Sequence, residues 1–529
     1  LPARSSVTSG RDEYEVTSPH RTAGAPAADA IWLRWVLVTA FALMLASAWW
    51  CTGFIQGDEH FQILEFAGAR LGLSRFSDLP WEYAARARSW LLPALVTVVR
   101  RAMIATGHDD PFFCAFLLRA CSGVFYLAAM WRLARATRRW FGSQAHWRLA
   151  VALPLAFWFV PVVAARFSAE SWSGSLFFLA FATLVRLHDR ERCSVAEIFF
   201  AGFALGLAFI VRFQVALLDA GAIAWLVWGR SVPRREWGFL GTGAVAALVA
   251  GAAIDWWGYG VWSLPVWNYY MAQFPGGVLA RYGAEPWWWY ARAIMYAAGW
   301  PVGFALIAGL AGLCLRRPVH VLVWTLAPFI VFHLFVPTKE LRYFFPMLAA
   351  MPYVIVLGLE GWWPRELFAR HENIMRAAVA LVAAIVVVPN AAAFAARLSI
   401  PLEPRIAVQE TVYRSATHTV VVVGDHDPYV WWSYLRANWY RPADLRVVRV
   451  TNVAEASRVA ASIPGALLVT RFPDRPDNTD TPCRIIHQSV PLRLSERWRA
   501  RLDDFIPDRD HEPGWWFVAR CDASTGGGV

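Results

Sequence analysis

The residues best suited to chemistry cluster where long apolar runs end. Twenty uncharged residues, Val36 to Ile55, lead straight into two adjacent carboxylates, Asp58 and Glu59, within FIQGDEHFQILEFAGARLG (residues 54–72). A carboxylate so placed can take a proton from a hydroxyl nucleophile. Asp58, Gln62 and Glu65 recur at helical spacing, and Phe61, Leu64 and Leu71 share another face. This pattern predicts an amphipathic segment in the membrane interface with its polar face toward a cavity. An isolated acidic pair would read more simply as solvated carboxylates after a helix. A second cluster, LPWEYAARARSWLLP (79–93), carries Trp81, Glu82 and Arg88. Its aromatics suit either a sugar ring or an interfacial belt. A third, AARFSAESWSG (164–174), holds Arg166 and Glu170, four apart and able to pair. A fourth, residues 255–290, begins at Asp255 and is rich in Trp, Tyr, Gly and Pro; its composition predicts a segment lying on the membrane surface. A fifth, PTKELRYFFP (337–346), sets Lys339, the only lysine of the chain, near Arg342. A cationic pair at a helix exit suits a lipid-borne phosphate, and equally suits snorkelling to headgroups.

These clusters need a membrane scaffold to position them. Of the 529 residues 57% are hydrophobic and 17% charged, against roughly a quarter charged in soluble domains. The deficit falls in repeated apolar blocks of spanning length, so the chain reads as a polytopic α-helical membrane protein. Expected spans are 34–55, 113–132, 148–165, 171–187, 195–212, 214–229, 237–254, 291–315, 319–337, 343–361 and 375–396, about eleven transmembrane helices. Residues 1–30 lack periodicity and read as a disordered cytoplasmic tail. The net charge of +11 does not point to nucleic acid, because the arginines lie between apolar blocks. WRLARATRRW, RLHDRERC, GRSVPRREW, LRRP and PRELFARHENIMR alternate with loops poor in basic residues, which makes the arginine-rich set cytoplasmic. With eleven spans the N-terminus is then inside and the C-terminus outside. Asp58, Glu59, Glu82, Arg88, Arg166, Glu170, Arg212, Asp255, Lys339, Glu340 and Arg342 all fall on the external side of this topology, which implies one external site.

Residues 399–529 read as a soluble, external α/β domain. HTVVVVGDHDP predicts a strand and a turn, YVWWSYLRANW a helix, and LRVVRV, EASRVAASI, GALLVT and GWWFVARC a continued alternation of strands and helix. Five of the seven cysteines lie in or beside apolar spans and serve as packing residues. Cys483 and Cys521 lie in the exported region and are candidates for a disulfide, although sequence alone does not show that they meet.

Taken in order, the motifs resemble the polyprenol-phosphate-mannose-dependent mannosyltransferases of glycosyltransferase family 22, which have the GT-C fold. The residues carrying the resemblance are Asp58-Glu59-His60-Phe61-Gln62 with Glu65, Trp81-Glu82-Tyr83, Arg88-Ser89, Asp255-Trp256-Trp257-Gly258-Tyr259-Gly260, Tyr282-Gly283, Pro286-Trp287 with Trp289-Tyr290, and Lys339-Glu340-Leu341-Arg342-Tyr343. The third mannosyltransferase type of GPI-anchor assembly looks most similar, and the resemblance covers about residues 35–360. It implies a transmembrane catalytic domain over residues 31–398, with external loops 56–112 and 255–290. It further implies a sugar donor on a polyprenyl phosphate and an acceptor hydroxyl on an envelope glycolipid or glycan, among membrane lipids and without nucleic acid. Asp58 would be the general base, with Glu59 orienting the acceptor or assisting. Lys339 and Arg342, with Arg212 and Arg166, would hold the donor phosphate. His60, Gln62, Trp81, Glu82, Arg88, Asp255 and Tyr282 would line the sugar and acceptor site. Neither a cofactor nor a metal is implied. The family's usual His-Lys-Glu reads Thr338-Lys339-Glu340 here, the usual Arg-Thr reads Arg166-Phe167, and the C-terminal α/β domain lies outside the family pattern. The arginine and tryptophan bias suggests a GC-rich bacterial source and so an inner-membrane location.

Two other classes fit a polytopic chain: a transporter or flippase for a lipid-linked sugar, and an envelope scaffold with an external binding domain. A transporter would show internal repeats and helices broken near mid-membrane. A scaffold would not need acids and bases collected at one end. The enzyme reading requires Asp58, Lys339 and Arg342 to line one external cavity, and fails if they point to separate surfaces.

Overall fold

The structure, a computed structural model, describes residues 25–230, 232–281, 283–362, 371–432, 434–489 and 515–522. The first helix, Ala25–Trp50, begins earlier than the sequence suggests, so residues 25–30 belong to it and not to a tail; residues 1–24 lie outside the described set. Helix occupies each of the eleven expected spans, and among the described residues five helices are long and apolar enough to cross a membrane.

Three spans are broken, each at a residue that explains the break. The 148–165 block divides into Gln144–Ala152, a 3₁₀ turn Leu153–Ala156 and Phe159–Ala164, where Pro154 and Pro161 remove backbone donors. The 291–315 block divides at Gly299, whose φ of +82° ends Trp289–Ala298 and lets Trp300–Arg316 start afresh. The 343–361 block opens as a 3₁₀ stretch, Leu341–Ala350, containing Pro346, before Met351–Leu359. Loop 56–112 also contains a helix outside the expected spans, Leu91–Ala105. It buries Leu92, Val96 and Met103 at helical spacing, which makes it an amphipathic element and not a span.

Two helices fix one edge of the polar region. Val195–Val211 and Arg234–Tyr259 approach so closely that a Cβ on Gly202 would fall 1.9 Å from the Leu240 carbonyl oxygen. The contacts rise in step, Gly206 to Ala247 and Ile210 to Gly251, so these helices run parallel. Arg212 and Asp255 therefore emerge at the same end of the bundle.

The C-terminal region follows the helix Glu372–Ser399. Its strands are β1 (Thr419–Val423), β2 (Val430–Trp431), β3 (Leu435–Arg436), β4 (Arg446–Val450), β5 (Leu467–Arg471), β6 (Cys483–Gln488) and β7 (Trp516–Cys521). Five form a sheet in the order β4-β1-β5-β7-β6, with β4, β1 and β5 parallel and β7 and β6 antiparallel. Cys483 and Cys521 are register partners joined by a disulfide. The expected helix over YVWWSYLRANW is instead an antiparallel hairpin of β2 and β3. Tyr429, Trp431, Leu435 and Ala437 are buried, a period-two pattern in an aromatic-rich run that suits strand better than helix.

This hairpin sits on the stretch that follows the first helix. Trp431 and Tyr440 stack on His60, and Tyr440 stacks on Phe112 at 4.3 Å. The Trp439 amide donates to Glu65 Oε1 at 2.8 Å. The 57–70 segment is thus covered on this side by the C-terminal domain, a contact the sequence does not suggest.

Candidate active site

The local path of the 57–70 segment separates groups that an ideal helix would align. Gly57–Glu59 is followed by a π-turn, His60–Leu64, before α-helix resumes at Glu65. The wider turn rotates the residues beyond it, and such insertions recur at functional sites. Asp58 and Gln62 still line one cavity, whereas Glu65 departs from that face. Glu65 turns to the C-terminal domain, with Ser74 Oγ donating at 2.7 Å and His60 Nε2 lying 3.0 Å away. His60, buried under Trp431 and Tyr440, is an interface residue and not a lining residue of the site.

The adjacent acids have different environments. Glu59 is buried and accepts from Arg166 Nε at 2.8 Å and from the Ile55 amide at 3.1 Å. Arg166 also donates to the carbonyls of Cys51 and Gly53. Arg166 and Glu59 therefore brace the exit of the first helix, and Arg166 has its donors committed there and not to a phosphate site. Arg166 does not pair with Glu170, which instead accepts from Arg212 Nη1 at 2.8 Å and lies 3.7 Å from Arg342.

Asp58 is the open member of the pair, with its side chain 32% exposed. It accepts from Arg342 Nη1 at 2.6 Å and from Arg88 Nη2 at 3.5 Å. Burial pushes its carboxyl up, but the guanidiniums of Arg342 and Arg88 pull harder, and the net is below the ordinary carboxylate value. Arg342 is further held by Glu340, which also accepts from Tyr343 Oη at 3.0 Å. Arg88 lies over the Tyr269 ring at 4.9 Å.

Asp255 has a supporting part. It accepts from Ser89 Oγ at 3.0 Å and the Trp90 amide at 2.6 Å, so it pins the start of the Leu91–Ala105 helix behind Arg88. Trp81 is half-buried at the start of the short helix Trp81–Ala84. Tyr282 lies outside the described residues. Lys339 Nζ donates to the carbonyls of Leu334 at 2.9 Å and Val336 at 2.5 Å, capping the helix Val321–Phe335. Burial draws its ammonium below the usual lysine value.

Gln62 Nε2 donates to Glu82 Oε1 at 2.8 Å, both side chains being buried. Burial, with the Asp58 charge nearby, pushes the Glu82 carboxyl up to about 7. A carboxyl whose folded value is raised contributes its stability below the ordinary carboxylate range and loses it as pH rises through the folded value. The window here is about pH 4.5 to pH 7, and the cost of ionisation is at most about 3 kcal/mol. Glu82→Gln is therefore expected to flatten a fall in melting temperature that the parent shows between about pH 5 and pH 8. Parallel falls in both proteins would remove Glu82 as its source.

Two cavities meet at the Asp58–Arg342 pair. One is apolar, opens to the outside, and is lined by Trp158, Phe159, Ile294, Leu306 and Phe344. Lys339, Glu340 and Arg342 line the same cavity. The other is smaller and carries the polar side chains of Asp58, Gln62, Arg88, Ser89, Glu170 and Arg212 beside Ile63, Leu92 and Val211. Lys339 and Arg342 line the apolar cavity and Asp58 lines the other, so the three do not share one cavity; the Arg342–Asp58 contact joins the two. Glu340 and Tyr343, both in the motif around Arg342, complete the cluster with Tyr269, which does not stand out in the sequence. Glu340 and Tyr343 flank Arg342 in the chain, but Tyr269 is one ring among many in the 255–290 stretch.

No curated protein sequence matches this chain. Among solved structures, ArnT from Cupriavidus metallidurans bound to undecaprenyl phosphate aligns with a TM-score of 0.52 at 12% identity, over 96% of this chain and 100% of that one. The same protein in the apo state aligns at 0.46 and 14%, over 85% and 94%. The first likeness shows the fold, a GT-C membrane architecture with a C-terminal sheet-containing domain. The Alg9-like mannosyltransferase family model matches residues 35–436, through the whole polar cluster and into the hairpin of the C-terminal domain. The chain therefore belongs to the Alg9-like mannosyltransferase family and is a membrane glycosyltransferase.

Proposed function

We propose that this protein moves a mannosyl group from a polyprenyl phosphate to a hydroxyl of an envelope glycolipid or glycan. The observation that carries the reading is the Asp58–Arg342 pair standing between an apolar cavity and a smaller one that carries polar side chains. The apolar cavity suits an isoprenoid chain, and Arg342 at its polar end suits the phosphate; Lys339 adds positive charge there. The smaller cavity suits the sugar and the attacking hydroxyl.

In this mechanism Asp58 takes the acceptor O–H proton as that oxygen bonds to C1 of the sugar. The bond from C1 to the phosphate oxygen breaks, and its electron pair leaves on polyprenyl phosphate. Arg342 stabilises the charge that gathers on the departing phosphate. The same guanidinium holds Asp58 ionised before the donor arrives. When phosphate draws on Arg342, Asp58 loses part of that stabilisation and its proton affinity rises. Donor binding thus prepares the base. Displacement in one step inverts C1, so a β-linked donor gives an α-mannoside. The arginines supply the charge that a metal would otherwise supply, and the reaction is proposed to need none.

We place the site on the external face of a bacterial inner membrane. The support is the opposite end of the bundle, where Arg132, Arg138, Arg139, Arg148, Arg186 and Arg317 are ion-paired in the arginine-rich loops. The test is transfer by purified protein in nanodiscs, given radiolabelled polyprenyl-phosphate mannose and lipid extract from the source organism. Donor-dependent labelling of a lipid or glycan is expected. No labelling from any polyprenyl-phosphate sugar, with protein shown to be folded, would overturn the reading.

A further inference from the structure

We infer that Trp432, carried by the C-terminal domain, forms an aromatic platform for a pyranose ring of the acceptor beside Asp58; this rests on the transferase reading above. The neighbouring side chains already account for docking of the domain. Trp431 is only 3% exposed and packs on Phe54, His60 and Phe61, while Tyr440 packs on His60 and Phe112. Trp432 stays 45% exposed, with its centroid 6.1 Å from that of Phe61. Its indole edge lies over the bare backbone of Gly57, with Cη2 3.4 Å from where a Cβ there would stand. Gly57 immediately precedes Asp58 in the same short helix.

The backbone adds an independent observation. Trp432 has φ of +47°, the left-handed region, in which a bulky side chain is a genuine outlier. Such conformations cost free energy and collect at binding sites. The successive tryptophans diverge, one buried in the interface and one left over Gly57, the residue before Asp58. Tyr434, in the same turn, is 67% exposed and offers a second ring with a hydrogen-bonding tip. An indole face carries negative potential and attracts the weakly positive C–H face of a pyranose ring. A sugar lying on this ring would sit one residue from the base.

The test uses the full chain in nanodiscs without donor, so it does not depend on transfer. Saturation-transfer NMR with a panel of methyl pyranosides is run on the parent, Trp432→Ala and Trp432→Phe. The parent is expected to saturate ring protons of at least one pyranoside. Trp432→Ala should bind about tenfold more weakly at an unchanged melting temperature, with Trp432→Phe retaining most of the signal. Equal saturation in the parent and Trp432→Ala would overturn the platform. No saturation in the parent would also overturn it and leave Trp432 as an interfacial aromatic. Sugar binding through Trp432 in a protein that transfers nothing from any polyprenyl donor would retire the transferase reading and leave the binding site standing.

Discussion

Asp58→Asn is expected to lower sugar transfer by about a thousandfold while donor binding persists. The asparagine oxygen can still accept from Arg342 and Arg88, so the cluster keeps its shape. It cannot take a proton. Because Asp58 is one-third exposed, the substitution removes no packed core group. The measurement is single-turnover transfer beside equilibrium binding of the polyprenyl-phosphate donor. A rate within about tenfold of the parent would remove Asp58 as the base while leaving the enzyme class intact. Glu59→Gln is a poor substitute for this experiment. It would leave Arg166 buried without its counter-charge, and breaking a buried pair costs roughly 3–5 kcal/mol of stability. Lost activity there would report a loosened helix exit and not lost chemistry.

The contrast shows which parts of the site are legible in sequence. Asp58 and Arg342 stand out because an acid and a base at the ends of apolar runs are costly and call for a reason. Their joining across 284 residues is a property of the fold. Only the family resemblance separates Asp58 from Glu59 in the sequence, because their residue chemistry is alike and the distinction depends on whether Arg166 or Arg342 reaches each carboxylate. Asp255 and His60 carry the right chemistry but point into supporting contacts. The π-turn at His60–Leu64 is equally hidden: one inserted residue leaves no mark on composition, yet it redirects Glu65. Apolar length reveals the spans, while Pro154, Gly299 and Pro346 decide which are continuous. The hairpin at 430–436 shows tertiary override of local appearance. Its aromatic run looks helical until the surface that buries alternate residues is known.

Arg342 carries the second large effect. Arg342→Ala is expected to lower transfer by roughly a hundred- to a thousandfold, chiefly by leaving the departing phosphate without its nearest guanidinium. Arg342→Lys should recover only part of this loss. A lysine offers one point charge, whereas the guanidinium reaches Asp58, Glu340 and the apolar cavity from one planar group. The pH dependence separates this role from general disruption. In the parent, Asp58 is held below the ordinary carboxylate value, so it stays ionised and basic well into acid. Removing Arg342 removes the strongest of the charges that hold it there. The folded value must then rise, and the acid limb of kcat/KM should move to higher pH. Arg88 remains at 3.5 Å, so the limb moves without becoming that of an isolated buried acid. A lower rate with an unmoved acid limb would mean that Arg342 serves the phosphate alone and that Asp58 is not the titrating base. A moved limb with the donor still saturating would place its main effect on the base. Movement of the limb together with loss of donor affinity is the expected result, because one guanidinium then serves both the leaving group and the proton acceptor.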